Sequence, residues 1–280
     1  MRFVTPMADK LMQTKTQIRF IYSKLIHNRH SLSRQNRLKT LTSRFQLPLC
    51  PHRFSFNLLY LLAGIIAIMG LTAAHSYMPS EVIAEAMPVS RKIIVIDAGH
   101  GGWDPGMVSG KVEEKDINLS IAKKLQTFLE QGGATVIVTR LDDTALGTRK
   151  TSDMHARRVT ANTSKADIFV SIHQNSYNSA NVKGFQAFYF NESDNSKKLA
   201  ACIQNRLKEF VNPNNKLGSR ANKNYFVLKQ TEMPAVLVEC GFLTNYNERT
   251  KLTTEEYQEK IAWGIYLGIV DYFNTPDDAP

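Results

Sequence analysis

Ile93-Ile94-Val95-Ile96-Asp97-Ala98-Gly99-His100-Gly101-Gly102 is an apolar, β-branched run that stops at a histidine set among glycines. Four consecutive β-branched residues without polar alternation read as a strand buried on both faces, as in a parallel sheet covered by helices. The glycines tolerate positive φ and close backbone approach, so His100 can project from the end of the strand. In open α/β sheets that is where ligands bind.

The same design recurs twice. Ala166-Asp167-Ile168-Phe169-Val170-Ser171-Ile172 ends on His173, followed by Gln174 and Asn175, and Ala235-Val236-Leu237-Val238 ends on Glu239, followed by Cys240 and Gly241. Between the first two runs, Glu113-Glu114-Lys115-Asp116 opens a segment whose apolar positions Ile117, Ile121, Leu125 and Phe128 follow helical spacing. Strands are expected near 92–97, 134–139, 167–172, 184–190, 224–229 and 235–240, and helices near 115–131, 149–164, 194–211 and 253–273. That alternation predicts a single α/β domain over 91–275 with a twisted, mostly parallel six-stranded sheet flanked by helices.

Two imidazoles and a carboxylate at strand ends and a helix start fit a catalytic zinc site. Zinc takes such ligands at about 2.0–2.2 Å in tetrahedral geometry and keeps a fourth position for water, whose pKa it lowers to about 7. His100, His173 and Glu114 are the expected ligands, with Glu239 as the base. Each residue also has a plainer reading. A lone histidine after a strand is usually a hydrogen-bonded loop residue, but two at equivalent strand ends beside a third strand closed by glutamate favour a site. An acidic pair at a helix start is commonly a first turn favoured by the helix dipole, and spacing leaves both Glu113 and Glu114 open. Phosphate binding by the glycine-rich turn is the weaker alternative, because neither G-x-G-x-x-G nor G-x-x-x-x-G-K-[ST] is present.

IIVIDAGHGGWDPG at 93–106, EKDINLSIA at 114–122, ADIFVSIHQNS at 166–176 and VECGFLTN at 238–245 occur in one order and spacing. In these motifs the chain resembles the zinc-dependent N-acetylmuramoyl-L-alanine amidases of the Amidase_3 family. The resemblance implies His100, Glu114 and His173 as zinc ligands, selecting Glu114 over Glu113, and Glu239 as the catalytic glutamate. It implies hydrolysis of the amide between N-acetylmuramic acid and the L-alanine of the peptidoglycan stem peptide. The compact domain and the Asn224-Tyr225-Phe226-Val227-Leu228-Lys229 segment are similar to the spore-cortex amidases within the family, which implies a role in muramic lactam formation and an activating protein partner. Met107 to Val112 departs from the usual small, glycine-rich stretch. Asp97 and Asp104 are expected to position the His100 loop, Asn175 to support His173 or orient substrate, Arg157 to back the site, meet substrate or be structural, and Asn162 to be structural. His155 reads as a surface residue, and Glu232, in a loop before Pro234, as a doubtful catalyst.

Charge divides the chain sharply. Residues 1–53 carry 11 Lys and Arg against one acid, Asp9, so they account for the whole formal charge of +10. The catalytic part has no basic stripe interleaved with aromatics, which argues against nucleic acid. Phe54 to Ser80 contains no charged residue. A bilayer-spanning helix needs about 20 apolar residues, so 54–76 is expected to be a transmembrane helix in contact with lipid, with 77–90 as a linker and 276–280 as a tail. The positive-inside rule then places the basic arm in the cytoplasm and the enzyme outside, anchored to the membrane. The competing readings are a signal cleaved after Leu71-Thr72-Ala73-Ala74 and translation starting at Met7 or Met12. The basic arm itself is read either as an amphipathic helix on anionic lipid or as a solvated arm.

Three cysteines do not make a disulfide framework. Cys50 lies in the basic arm as a weak lipidation candidate, Cys202 in a helix, and Cys240, turned away from the Glu239 side by strand alternation, as a packed small hydrophobe. Two other function classes stand beside the amidase: another zinc peptidoglycan hydrolase, either a peptidase or a deacetylase, and a non-catalytic wall-binding protein with this fold.

Overall fold

The computed structural model describes residues 60–69 and 87–275, and these fall in two separate units. The first contains a helix at 60–69. At 1.5 Å per residue its ten residues reach about 15 Å, half of the roughly 30 Å hydrocarbon core. Among the described residues no helix is long and apolar enough to cross a membrane. The expected span over 54–76, with its lipid contact and membrane anchoring, is therefore corrected: the described helix of that stretch, 60–69, is not long enough to cross. The basic arm with Cys50, most of the 77–90 linker and the 276–280 tail lie outside the described residues.

The second unit is an α/β domain. Its elements are β1 (Ile93–Ala98), β2 (Val108–Ser109), β3 (Val112–Glu113), α1 (Glu114–Gln131), β4 (Thr135–Val138), α2 (Lys150–Thr163), β5 (Ile168–Asn175), β6 (Gln186–Tyr189), α3 (Asp194–Phe210), β7 (Arg220–Ala221), α4 (Phe226–Gln230), β8 (Ala235–Phe242), α5 (Tyr246–Leu252) and α6 (Glu255–Asn274). The six-stranded sheet has the order β4-β1-β5-β8-β6-β7. Its first four strands are mutually parallel, and β6 runs antiparallel to β8.

The strands of the sheet centre are buried because both faces are covered. Ile94, Val95, Ile96, Phe169, Val170 and Val236 are fully inaccessible, each contributing roughly 1.5–3 kcal/mol of apolar burial. Val95, Phe169 and Leu237 share one cluster with Ala161 of α2 and with Val227 and Leu228 of α4. On α1 the buried stripe is Ile117, Ile121, Leu125 and Leu129. Phe128, expected on that stripe, instead meets the rings of Trp263 and Tyr266 on α6 at centroid distances of 5.1 and 6.1 Å.

The strand expected over 224–229 is a helix, α4, and the outer strand is β7. A short apolar run fits either element, and a side chain outside the run decides. Asn222 Oδ1 accepts hydrogen bonds from the backbone N–H groups of Asn224 and Tyr225, which turns the chain into the helix. Helix α5, not expected from periodicity, is capped by Asn245, whose side chain accepts from the Glu248 N–H. The atypical 107–112 stretch forms the β2–β3 hairpin ahead of α1.

Candidate metal centre and active site

β1, β5 and β8 lie side by side, and residues in or just beyond their C-terminal halves carry the chemistry. Ala98 pairs with Ile172, and His173 pairs with Glu239, so one strand end supplies a histidine directly beside the glutamate of the next. His100 follows β1 in the left-handed region, φ 61°. That conformation costs a residue with a Cβ about 1–2 kcal/mol. α1 begins at Glu114 and brings that carboxylate under both imidazoles.

Glu114 Oε1 lies 3.0 Å from His173 Nδ1 and 3.3 Å from His100 Nε2. The same oxygen accepts from the Gln174 N–H at 3.0 Å, and Oε2 accepts from the Met107 N–H at 2.8 Å. Burial pushes the Glu114 pKa up, but its bonds to His100 and His173 outweigh burial and hold it well below the ordinary carboxylate range. His100 Nδ1 is 2.8 Å from Asp104 Oδ2. Burial disfavours the imidazolium of His100, yet Glu114 and then Asp104 outweigh this and raise its pKa. One ligand atom from each of His100, Glu114 and His173 lies within 4.8 Å of the others. Two imidazoles and a carboxylate suit zinc, and a carboxylate behind one imidazole is the usual support of a metal-ligating histidine.

Two glycines make room for this cluster. A Cβ on Gly99 would lie 2.3 Å from the His173 ring, and one on Gly106, where φ is +67°, would lie 2.5 Å from Glu114 Oε2 and 2.7 Å from the His100 ring. Gly106→Ala is therefore expected to destabilise the protein by at least roughly 1–2 kcal/mol from backbone strain alone and to weaken metal binding. Thermal melting with and without zinc checks both.

Glu239 lines the same cleft, whose volume is about 360 Å³. Its Oε1 is 3.4 Å from the Tyr225 hydroxyl, whereas its buried Oε2 has no hydrogen-bond partner among the described residues. Burial pushes the Glu239 pKa up to about 7, with His173 pulling against it. A carboxylate with that pKa can both take and return a proton near neutrality.

The structure brings together His100, Glu114, His173 and Glu239, as expected from strand ends and a helix start. Asp104 touches His100 directly. Asp97 acts at one remove: its carboxylate accepts from Ser171 at 2.7 Å, Thr139 at 2.9 Å and Arg157 at 2.6 Å. Asn175 lines the cleft, but its Oδ1 accepts from the Ser176 N–H, not from His173. Glu232 is exposed and bonds Asn162. His155 is exposed on α2 with its ring against Phe226, and Cys240 is buried. Sequence reasoning passed over Arg140, Asn118 and Tyr225. Arg140 donates to Ala98 O, Gly99 O and Lys115 O, and Asn118 donates to Gly99 O and Glu114 Oε1. The available signal for Arg140 was a cation just past the apolar strand β4, at the same sheet edge as the two histidines.

The N-acetylmuramoyl-L-alanine amidase family (Amidase_3) matches residues 94–271, which takes in every element from β1 to most of α6. The chain belongs to this family. Among its relatives, the germination-specific N-acetylmuramoyl-L-alanine amidase of Bacillus subtilis (strain 168) is 38% identical over 203 residues, covering 70% of this chain and 85% of that protein. Among solved structures, the CwlD amidase from Clostridioides difficile, determined in complex with the GerS lipoprotein, superposes with a TM-score of 0.64. It is 40% identical and covers 66% of this chain and 99% of that one. The N-acetylmuramoyl-L-alanine amidase from Clostridium difficile 630 gives a TM-score of 0.61 at 37% identity, covering 66% and 98%.

Proposed function

We propose that this amidase is zinc-dependent, with His100, Glu114 and His173 as the ligands and Glu239 as the general base, and that it cleaves the bond between the lactyl group of N-acetylmuramic acid and L-alanine. The observation that carries the reading is the pairing of His173 with Glu239 on adjacent strands, which sets a buried carboxylate with one unpartnered oxygen beside a two-histidine, one-carboxylate donor set. Zinc held there would polarise the scissile carbonyl and acidify water.

The protein groups have distinct tasks. Glu239 accepts a proton from the attacking water and returns it to the departing alanine nitrogen, and its pKa of about 7 in the metal-free site suits both transfers. The Tyr225 hydroxyl, neutral near pH 7 and with its pKa raised further by burial, donates to one oxygen of Glu239 and leaves the other for water. Asp104 holds His100 by Nδ1 and so directs Nε2 towards Glu114.

Likeness to the germination-specific amidase supports a substrate in the spore cortex, where such cleavage precedes muramic lactam formation. The complex of the Clostridioides difficile relative with a lipoprotein makes an accessory lipoprotein the partner class proposed here. Removal of metal by a chelator is expected to abolish release of stem peptides, and added zinc to restore it. Full activity in a preparation shown to be metal-free would remove zinc from the proposal.

A further inference from the structure

Beyond Ala98, β1 leaves the sheet, and the carbonyls of Ala98, Gly99 and His100 turn towards buried side chains. Arg157, 3% exposed, fans its donors across this corner. Nη2 donates to His100 O at 2.7 Å, Nη1 to Ala98 O at 2.8 Å and to Asp97 at 2.6 Å, and Nε to Asp153 at 2.6 Å. Arg140 donates to Ala98 O at 2.9 Å and to Gly99 O at 3.1 Å, and so holds the Gly99–His100 peptide, on the N-terminal side of His100, and not the His100 carbonyl.

The geometry points to Arg157 as the positioning residue that holds His100 in its left-handed conformation, and hence sets the affinity of the metal site. This rests on the zinc reading above. His100 sits at φ 61° with its imidazole beside Glu114 and His173, a conformation that costs a residue with a Cβ about 1–2 kcal/mol. On the far side of that φ, Arg157 holds the carbonyl of the His100–Gly101 peptide while the N–H of the same peptide donates to Asp104 O at 2.9 Å, and Asp97 and Asp153 fix the guanidinium from two directions. A lysine cannot substitute, because one ammonium nitrogen cannot span Asp97, Asp153 and two backbone carbonyls, whereas a planar fork can.

The test uses the full chain and measures zinc affinity by competition with a chromogenic chelator, alongside the melting temperature of the metal-free protein. Arg157→Lys is expected to bind zinc about 10–100-fold more weakly, as losses of support behind metal ligands commonly do. Asp153→Asn, which leaves Arg157 in place but removes the charge that fixes its Nε and one of the two acceptor oxygens, serves as the milder variant if Arg157→Lys does not fold and is expected to show a smaller loss. A role confined to the fold lowers the metal-free melting temperature and leaves the zinc affinity alone; that result in the folded variants overturns the inference. His100→Ala separates the two levels. If it retains wild-type zinc affinity, the ligand assignment fails, whereas loss of zinc in His100→Ala with wild-type affinity in Arg157→Lys and Asp153→Asn rejects only the positioning role.

Discussion

Glu239→Gln is expected to lower turnover by about 10²–10⁴-fold, the usual contribution of general-base assistance, while zinc occupancy stays near that of the wild type. The amide fills the same space and keeps a partner for the Tyr225 hydroxyl, but it cannot accept a proton from water. The wild type should lose activity on the acid side as Glu239 protonates, with a midpoint at or below pH about 7, since a cation on the neighbouring triad favours the carboxylate. That limb should vanish in the variant. Stability provides an independent sign. Burial raises the Glu239 pKa from its ordinary 4.5 to about 7, so the folded metal-free protein binds the proton more tightly than the unfolded chain. Its stability therefore falls as pH rises between those values, and the glutamine removes that slope. Metal analysis, pH–rate profiles and melting curves read the three effects. Parallel loss of zinc would make Glu239 a ligand and send the search for the base elsewhere.

His173→Ala is expected to abolish stoichiometric zinc and, with it, hydrolysis. The imidazole is one of three donors converging within 4.8 Å, and its removal leaves a buried Glu114 facing a single histidine. Elemental analysis after dialysis checks the metal, and circular dichroism separates loss of metal from loss of fold. Undiminished zinc in a folded His173→Ala protein would refute its assignment as a ligand.

Much of this arrangement was legible because parallel strands buried on both faces leave an unmistakable pattern. Ile93–Ile96, Ile168–Val170 and Ala235–Val238 are apolar without alternation, so the histidine or glutamate a few residues on stands out, and the same pattern pointed to the mostly parallel six-stranded sheet. What failed to show depends on contacts distant in sequence. Arg140 is an ordinary cation in its own segment; only folding places its guanidinium on the carbonyls of Ala98 and Gly99, about 40 positions away. Tyr225 meets Glu239 only because 226–230 coils instead of extending, a choice made by Asn222 outside the apolar run. At 54–76 an uncharged, apolar composition pointed to a bilayer span that the described helix at 60–69 does not supply.

The central claim is the bond that is cut. Mass spectrometry of peptidoglycan incubated with the purified, zinc-loaded chain should show free stem peptides beginning with an L-alanine amine and glycan strands carrying unsubstituted lactyl carboxylates, with every N-acetyl group retained. Cleavage within the stem peptide, or deacetylated sugars with the lactyl–alanine amide intact, would contradict it.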